Sequence, residues 1–259
     1  MSLTVAEVRQ RLQHADKAEL SVLERQLAAD TRKGVQTALA SATRRIAAQE
    51  AELERLDSLY AYEREIACGK LVVGLDEVGR GPVAGPLAVG AVVLPTEPHI
   101  AGLNDSKQVK PEDRERIAAE IKRVAIAWTV QYVEPADIDA NGMTASLTTA
   151  FRRAIAAVEE AGVRPDVVLL DGNPLHLDER ETNVVKGDGK CASIAAASIA
   201  AKVERDALMC EYAKEYPEYG FDSHKGYASA SHIEAIKKYG LSPVHRVSFC
   251  HAFTQESLF

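Results

Sequence analysis

Apolar residues recur at helical spacing through the first quarter of the chain. Val5, Val8 and Leu12, then Leu20, Leu23 and Leu27, fall on one face of successive helical turns. The pattern breaks at residues 31–34, and a long helix is expected from about 35 to 62. Residues 1–68 hold one glycine, Gly34, and no proline. This predicts a helical hairpin or a short helical module. Leu39, Ile46 and Leu53 also repeat every seven residues, as a coiled coil would require, but the companion row Ala42, Gln49 and Leu56 is weak. The hairpin is therefore the expectation.

From about Lys70 the texture changes to short apolar runs, at residues 71–75, 83–94 and 124–133, and then at 167–170, closed by Asp171-Gly172. These read as strands. Helices are expected over residues 144–161, an Ala-rich 191–216, and 230–239. The single tryptophan, Trp128, falls in a strand pattern and is expected in the core. Strands first, then strands alternating with helices, predict an α/β or α+β domain over residues 69–259, a mixed sheet covered by helices, behind a helical extension over 1–68; α/β is the expectation.

Composition narrows the partners. The 259 residues carry a formal net charge of −7, which excludes a broad basic face for gripping phosphate, so any nucleic-acid contact must be local. Arg32, Lys33, Arg44 and Arg45 are the candidates for such contacts in the extension. Cys68, Cys191, Cys210 and Cys250 form no C-x-x-C pair and are expected as reduced thiols in a cytosolic protein. The opening residues lack the apolar run of a signal peptide, and no segment reaches the roughly 18–20 apolar residues of a membrane span.

The richest chemistry lies in Gly74-Leu75-Asp76-Glu77-Val78-Gly79-Arg80-Gly81-Pro82, where an apolar strand runs into two adjacent acids. Neighbouring strand side chains point to opposite faces, so both acids serve one site only if the chain twists there or one acts through its backbone. Acids at strand ends are also common as plain solvated residues. Gly79-Arg80-Gly81-Pro82-Val83-Ala84 resembles a dinucleotide-binding loop, but Pro82, Pro86 and the strand-like run after them leave no helix to face a pyrophosphate. The glycines instead permit close approach of backbone to a ligand. Asp171 could be a turn residue and Asp188 a turn residue or helix cap. Asp206 is expected to pair with Arg205 or Lys202. His224-Lys225 suits either a substrate-facing or a solvated loop, and His245-Arg246 a bracing role in the C-terminal tail.

Together the acids mean more than they do singly. Asp76, Glu77, Asp171 and Asp188 each lie at or just past a strand end, and the strand ends of an open sheet converge on one crevice. Carboxylates without His or Cys suit hard ions such as Mg²⁺ or Mn²⁺. Clustered acids repel one another, so such a site makes sense with cations bound, and two ions suit phosphodiester displacement.

Residues from about 70 to 249 resemble the type 2 ribonuclease H (ribonuclease HII) family, in the bacterial form with a helical N-terminal extension. The matching stretches are GLDEVGRGPVAGP, LNDSKQV, VVLLDG, VKGDGKCASIAAASIAAKVERD, YGFDSHKGY and VHRVSF. The resemblance implies a ribonuclease H-like fold with a mixed central sheet of about five strands and a helical C-terminal part. It implies an acidic tetrad at Asp76, Glu77, Asp171 and Asp188 holding Mg²⁺ or Mn²⁺, with two ions in the catalytic complex. It implies a 2′-OH-reading motif at Gly79, Arg80 and Gly81, a phosphate contact at Lys107, and a junction-reading tyrosine at Tyr227. The implied activity is cleavage of RNA in RNA–DNA hybrids, and 5′ of ribonucleotides embedded in duplex DNA, leaving 3′-OH and 5′-phosphate ends. A cytoplasmic monomer acting in ribonucleotide excision repair is the corresponding expectation. Ala228-Ser229 follow Tyr227 where family members often have Gly-Thr or Pro-Thr, while His232 keeps its expected place. A type 3 ribonuclease H would lack the Gly-Arg-Gly motif. A non-catalytic binding module would break the tetrad, and a two-metal phosphatase of another fold would leave Gly79–Gly81 and Tyr227 without a role.

Overall fold

The computed structural model describes residues 3–254. It divides the chain into two compact units, residues 1–57 and 58–259.

In the first unit the helical spacing becomes α1 (Val5–His14), α2 (Lys17–Leu27) and the first part of α3 (Lys33–Ile66). Capping boxes open α1 and α2: Thr4 pairs reciprocally with Glu7, and Asp16 with Glu19. Each box satisfies amide groups that a helix start leaves without partners. Val8, Leu12, Leu20, Leu23, Leu27, Val35 and Ile46 form the core of this three-helix module. The seven-residue stripe does not make a coiled-coil seam, because Leu53 is 61% exposed. Arg45 donates to the carbonyls of Leu12 (3.2 Å) and Ala15 (2.6 Å), and Arg32 pairs with Asp30 at 2.6 Å. Arg44 Nε donates to the Ala40 carbonyl at 3.2 Å, so three of the four basic candidates are engaged within the module itself.

The second unit is built on a five-stranded sheet of β1 (Val72–Val78), β2 (Leu87–Val93), β3 (Ala127–Val133), β4 (Val167–Asp171) and β5 (Glu181–Val184), in the order β3-β2-β1-β4-β5. The neighbours β1–β2 and β2–β3 are antiparallel, whereas β1–β4 and β4–β5 are parallel. The helices are α4 (Pro111–Val124), α5 (Pro135–Glu160), α6 (Ala192–Glu215), α7 (Phe221–His224), α8 (Ala230–Tyr239) and α9 (Val247–Thr254).

Strand alternation assigns the two faces. Val73, Leu75, Leu87, Val89, Ala91 and Val93 pack with Leu147, Phe151, Ile155 and Val158 of α5. On the other face lies α6, buried all round from Ala192 to Ala201, which explains a run of Ala and Ser interrupted there only by Ile194 and Ile199. Its approach needs Gly74, where a Cβ would land on the backbone of Ser193 and Ile194.

Several expectations need correction. Trp128 lies on the edge strand β3, is 38% exposed and carries the Lys122 ammonium 5.0 Å over its ring, so it is not core. The run expected at 83–94 is strand only from Leu87, because residues 79–86 form the loop joining β1 to β2. The run expected at 124–133 is strand only from Ala127, since Val124 closes α4. The helix expected from 144 begins at Pro135 and bends at Gly142, whose φ is 78°. The expected helix is the part beyond that bend.

Candidate active site

Topology gathers the acids. β1, β4 and β5 run parallel, so their C-terminal ends share one edge of the sheet. Asp76 and Glu77 lie in the last three residues of β1, Asp171 ends β4, and Asp188 follows β5 in a short 3-10 turn, Gly187–Gly189. Asp76 shares the parity of Gly74 and faces α6, whereas Glu77 has the opposite parity. Both nevertheless feel the charge of Asp171.

The electrostatics of this cluster are strongly unfavourable to four ionised carboxylates. Burial, and then the charge of Glu77, push Asp76 up to about 8. Burial also raises Glu77, though Arg80 at 3.1 Å opposes it. Asp188 is raised by burial and by Asp171. Each acid has a local partner: the Glu77 amide donates to Asp76 Oδ1 (2.8 Å) and the Gly187 amide to Asp171 Oδ1 (2.6 Å). Lys107 Nζ lies 3.6 Å from Asp188. Burial pulls the Lys107 ammonium down, but Asp105, Asp188, Asp76 and Asp171 outweigh it and leave the group raised.

Among the described residues, no three His, Cys, Asp or Glu side chains are already gathered around a common metal position. The donors fit a hard cation all the same. They are oxygen ligands only, and their mutual repulsion is relieved either by protonation or by a bound cation.

The loop 79–86 leaves β1 directly after the acids and is held from behind by two buried arginines. Arg246 donates to the carbonyls of Gly79 (2.7 Å), Arg80 (3.1 Å) and Gly85 (2.9 Å). Arg205 donates to those of Pro86 (2.9 Å), Ala84 (3.2 Å) and Lys225 (3.0 Å). Carbonyls held inward in this way leave the opposite side of the loop for a ligand. Lys202, and not Arg205, pairs with Asp206, at 2.9 Å.

Tyr227 arrives from a distant part of the chain. The Gly226 carbonyl accepts from the amides of Val83 (2.9 Å) and Ala84 (3.2 Å), tying the two loops together. A Cβ at Gly226 would strike the Ala84 carbonyl, and its φ is +87°, so both space and conformation require glycine. Tyr227 is 48% exposed, and its ring edge lies 3.7 Å from where a Cβ on Gly81 would stand. The residue reading missed Ser198, whose hydroxyl reaches Asp76 and also Ser106 Oγ (2.9 Å). A serine in an Ala-rich helix gives no signal of which face it lines.

Comparison with known proteins gives a consistent outcome. A family model described as "Ribonuclease HII" matches residues 73–252, and one described as "Ribonuclease HII N-terminal domain" matches residues 4–67. A ribonuclease HII of Halalkalibacterium halodurans is 39% identical over 249 residues, covering 95% of this chain and 94% of its own length. One of Pelotomaculum thermopropionicum is 43% identical over 256 residues, covering 95% and 93%. Among solved structures, the PCNA:RNase HII complex from Archaeoglobus fulgidus has a chain 27% identical with a TM-score of 0.60, covering 68% of this chain and 94% of that one. The ribonuclease H2 from Pyrococcus horikoshii is 27% identical with a TM-score of 0.59, covering 72% and 100%. Among the described residues no helix is long and apolar enough to cross a membrane.

The raised Asp76 makes the metal-free protein sensitive to pH. Its carboxyl titrates near 3.8 when unfolded and near 8 when folded, so its stabilising contribution is complete below about pH 4 and is lost as pH rises through about 8. In chelator, Asp76→Asn should gain melting temperature over the parent as pH rises from about 5 to about 8.5. A difference between the two proteins that does not change with pH contradicts the burial of this charge.

Proposed function

Because the chain belongs to the ribonuclease HII family, and so to the metal-dependent endoribonucleases that act on RNA–DNA hybrids, we propose a specific division of labour in its site. Asp76, Glu77, Asp171 and Asp188 are the metal-holding and catalytic acids. The ions they suit are Mg²⁺ or Mn²⁺, two in the catalytic complex. Ions bound there would activate the attacking water and stabilise the leaving oxygen. Lys107, beside Asp188 and 81% exposed at its side chain, contacts a substrate phosphate.

Gly79, Arg80 and Gly81 read the ribose. Their backbone can approach a sugar closely and bond its 2′-OH, the group that distinguishes RNA from DNA. Tyr227 packs on the next sugar, where a second 2′-OH would crowd its ring. The observation that carries this reading is the Tyr227 ring edge beside Gly81, on the loop that leaves Glu77. Two sugar-reading elements and the acids then share one short path. The pair accepts a ribose followed by a deoxyribose, the pattern left by a ribonucleotide embedded in duplex DNA, and thus serves ribonucleotide excision repair. The 2′-OH is bound and is not the nucleophile, so water attacks the phosphorus and the cut falls 5′ of the ribonucleotide.

We divide the chain functionally at 68/69. Residues 1–68 are a helical extension that adds phosphate contacts through cations such as Lys33 and Arg44, although its last turns, from residue 58, belong to the second compact unit, and residues 69–259 carry the chemistry. The protein acts as a cytoplasmic monomer.

The direct test is a duplex with a single ribonucleotide, its products mapped to the nucleotide. Cleavage should leave 3′-OH and 5′-phosphate ends, cease in chelator, return with Mg²⁺ or Mn²⁺, and be largely lost in Asp76→Asn. A 2′,3′-cyclic phosphate product, or full activity in chelator, refutes the mechanism.

Tyr227→Ala should weaken cleavage at the single ribonucleotide by on the order of 1–3 kcal/mol of transition-state stabilisation, by analogy with base–aromatic stacking. Cleavage of an all-RNA hybrid should fall much less. Equal losses on the two substrates would assign junction reading to another residue.

A further inference from the structure

Behind Tyr227 lies a buried histidine network that the chemistry above does not use. His232 is fully buried and His245 is 3% exposed. His232 Nδ1 lies 2.8 Å from the Tyr227 carbonyl, and His232 Nε2 lies 3.0 Å from His245 Nε2. His245 Nδ1 meets the Ser242 amide at 2.9 Å and the Ser242 hydroxyl at 2.8 Å. Tyr219 and Phe221 wall the pair in, with ring centroids 4.8 Å from His245 and 5.3 Å from His232.

The chemistry of the end groups fixes every proton in this chain. A carbonyl can only accept, so His232 Nδ1 carries hydrogen. An amide can only donate, so His245 Nδ1 is bare. A neutral imidazole has one donor and one acceptor, so His245 Nε2–H must donate to His232 Nε2. The contact between the rings is satisfied by this single arrangement. Burial pulls both histidines down to about 4, which keeps them neutral at ordinary pH.

His245 is followed directly by Arg246, which reaches the other half of the sugar reader. Arg246 bonds the carbonyls of Gly79 and Arg80, while its amide donates to the Val83 carbonyl at 2.8 Å. Ala84 pairs with His245 across an isolated bridge. Two adjacent residues therefore grip the two reading elements: Arg246 holds Gly79-Arg80 directly, and His245 holds Tyr227 through His232.

We infer that His245-Arg246, acting with His232, is a spacer that sets the distance between the 2′-OH-reading loop and Tyr227, making these three positioning residues for ribose–deoxyribose discrimination. This rests on the reading of Tyr227 proposed above. The arginine keeps the loop carbonyls turned inward. The histidines keep the tyrosine backbone from moving away from Gly81. None of the three touches substrate.

The test uses paired isosteres in the full chain. His245→Gln places an amide N–H where Nε2–H was and keeps the bond to His232. His245→Asn keeps an acceptor toward Ser242 but cannot reach His232. The readout is the ratio of kcat/KM on a duplex with one embedded ribonucleotide to that on an all-RNA hybrid. His245→Asn should lower this ratio roughly tenfold, the scale of one hydrogen bond, while His245→Gln stays near the parent value. His232→Asn keeps the bond to the Tyr227 carbonyl but severs the ring-to-ring contact from the other side. It should match His245→Asn, so a folding failure in one variant leaves the other as the test. In a Tyr227→Ala background neither Asn variant should lower the ratio further, because coupled residues are not additive. An unchanged ratio in both Asn variants, or an additive loss in the Tyr227→Ala background, overturns the spacer. If Tyr227→Ala itself leaves the ratio intact, the fault lies instead with the proposed role of Tyr227.

Discussion

Negative charge concentrated at one edge of the sheet is the constraint on which the rest of the second unit depends. The parallel order β1-β4-β5 delivers Asp76, Asp171 and Asp188 to the same end, and Glu77 comes with Asp76. Asp76 is buried against α6, so its charge is opposed by desolvation before any neighbour is counted. The metal-free protein answers with partial measures: Arg80 beside Glu77, Lys107 beside Asp188, and amides on Asp76 and Asp171. A cation at the cluster would release Arg80 and Lys107 toward a polyanionic substrate.

The second feature is polar order where a hydrophobic core would be the ordinary solution. Arg205 and Arg246 are fully buried and donate to backbone carbonyls of residues 79–86 and 225. Burying charge in this way is a weak route to stability, since desolvation offsets much of the gain. Its effect is to fix one conformation of an irregular, glycine-rich loop. A loop so rich in glycine has few side chains with which to fix itself, so the fixing groups come from α6 and from the segment before α9.

Much of this was legible in the sequence, and the parts that were not have physical reasons. Continuous apolar runs gave away β1 and β4, and the Ala-rich stretch gave α6, because full burial leaves an unbroken pattern. The strand β5, Glu-Thr-Asn-Val, is a half-exposed edge without apolar alternation, and no residue pattern marks it. The helix α4 buries only Ile117, Ala118 and Ile121 among many charges, too thin a stripe to read. Trp128 was misplaced because an edge strand can carry an aromatic ring outward under a lysine. The acids were recognisable as a group from their positions after strands. A bracing role for His245-Arg246 was legible too, but not what they brace, since that depends on which loops the C-terminal segment crosses. Periodicity contains no information about that.

The charge balance can be measured by calorimetric titration of the metal-free protein with Mg²⁺ in buffers of different ionisation enthalpy, which counts protons released on binding. With Asp76 titrating near 8, binding at about pH 7 should release close to one proton, and the release should vanish by about pH 10. Asp76→Asn should abolish most of it. Metal binding at pH 7 with no proton release would contradict a cluster whose buried carboxyl stays protonated until a cation arrives.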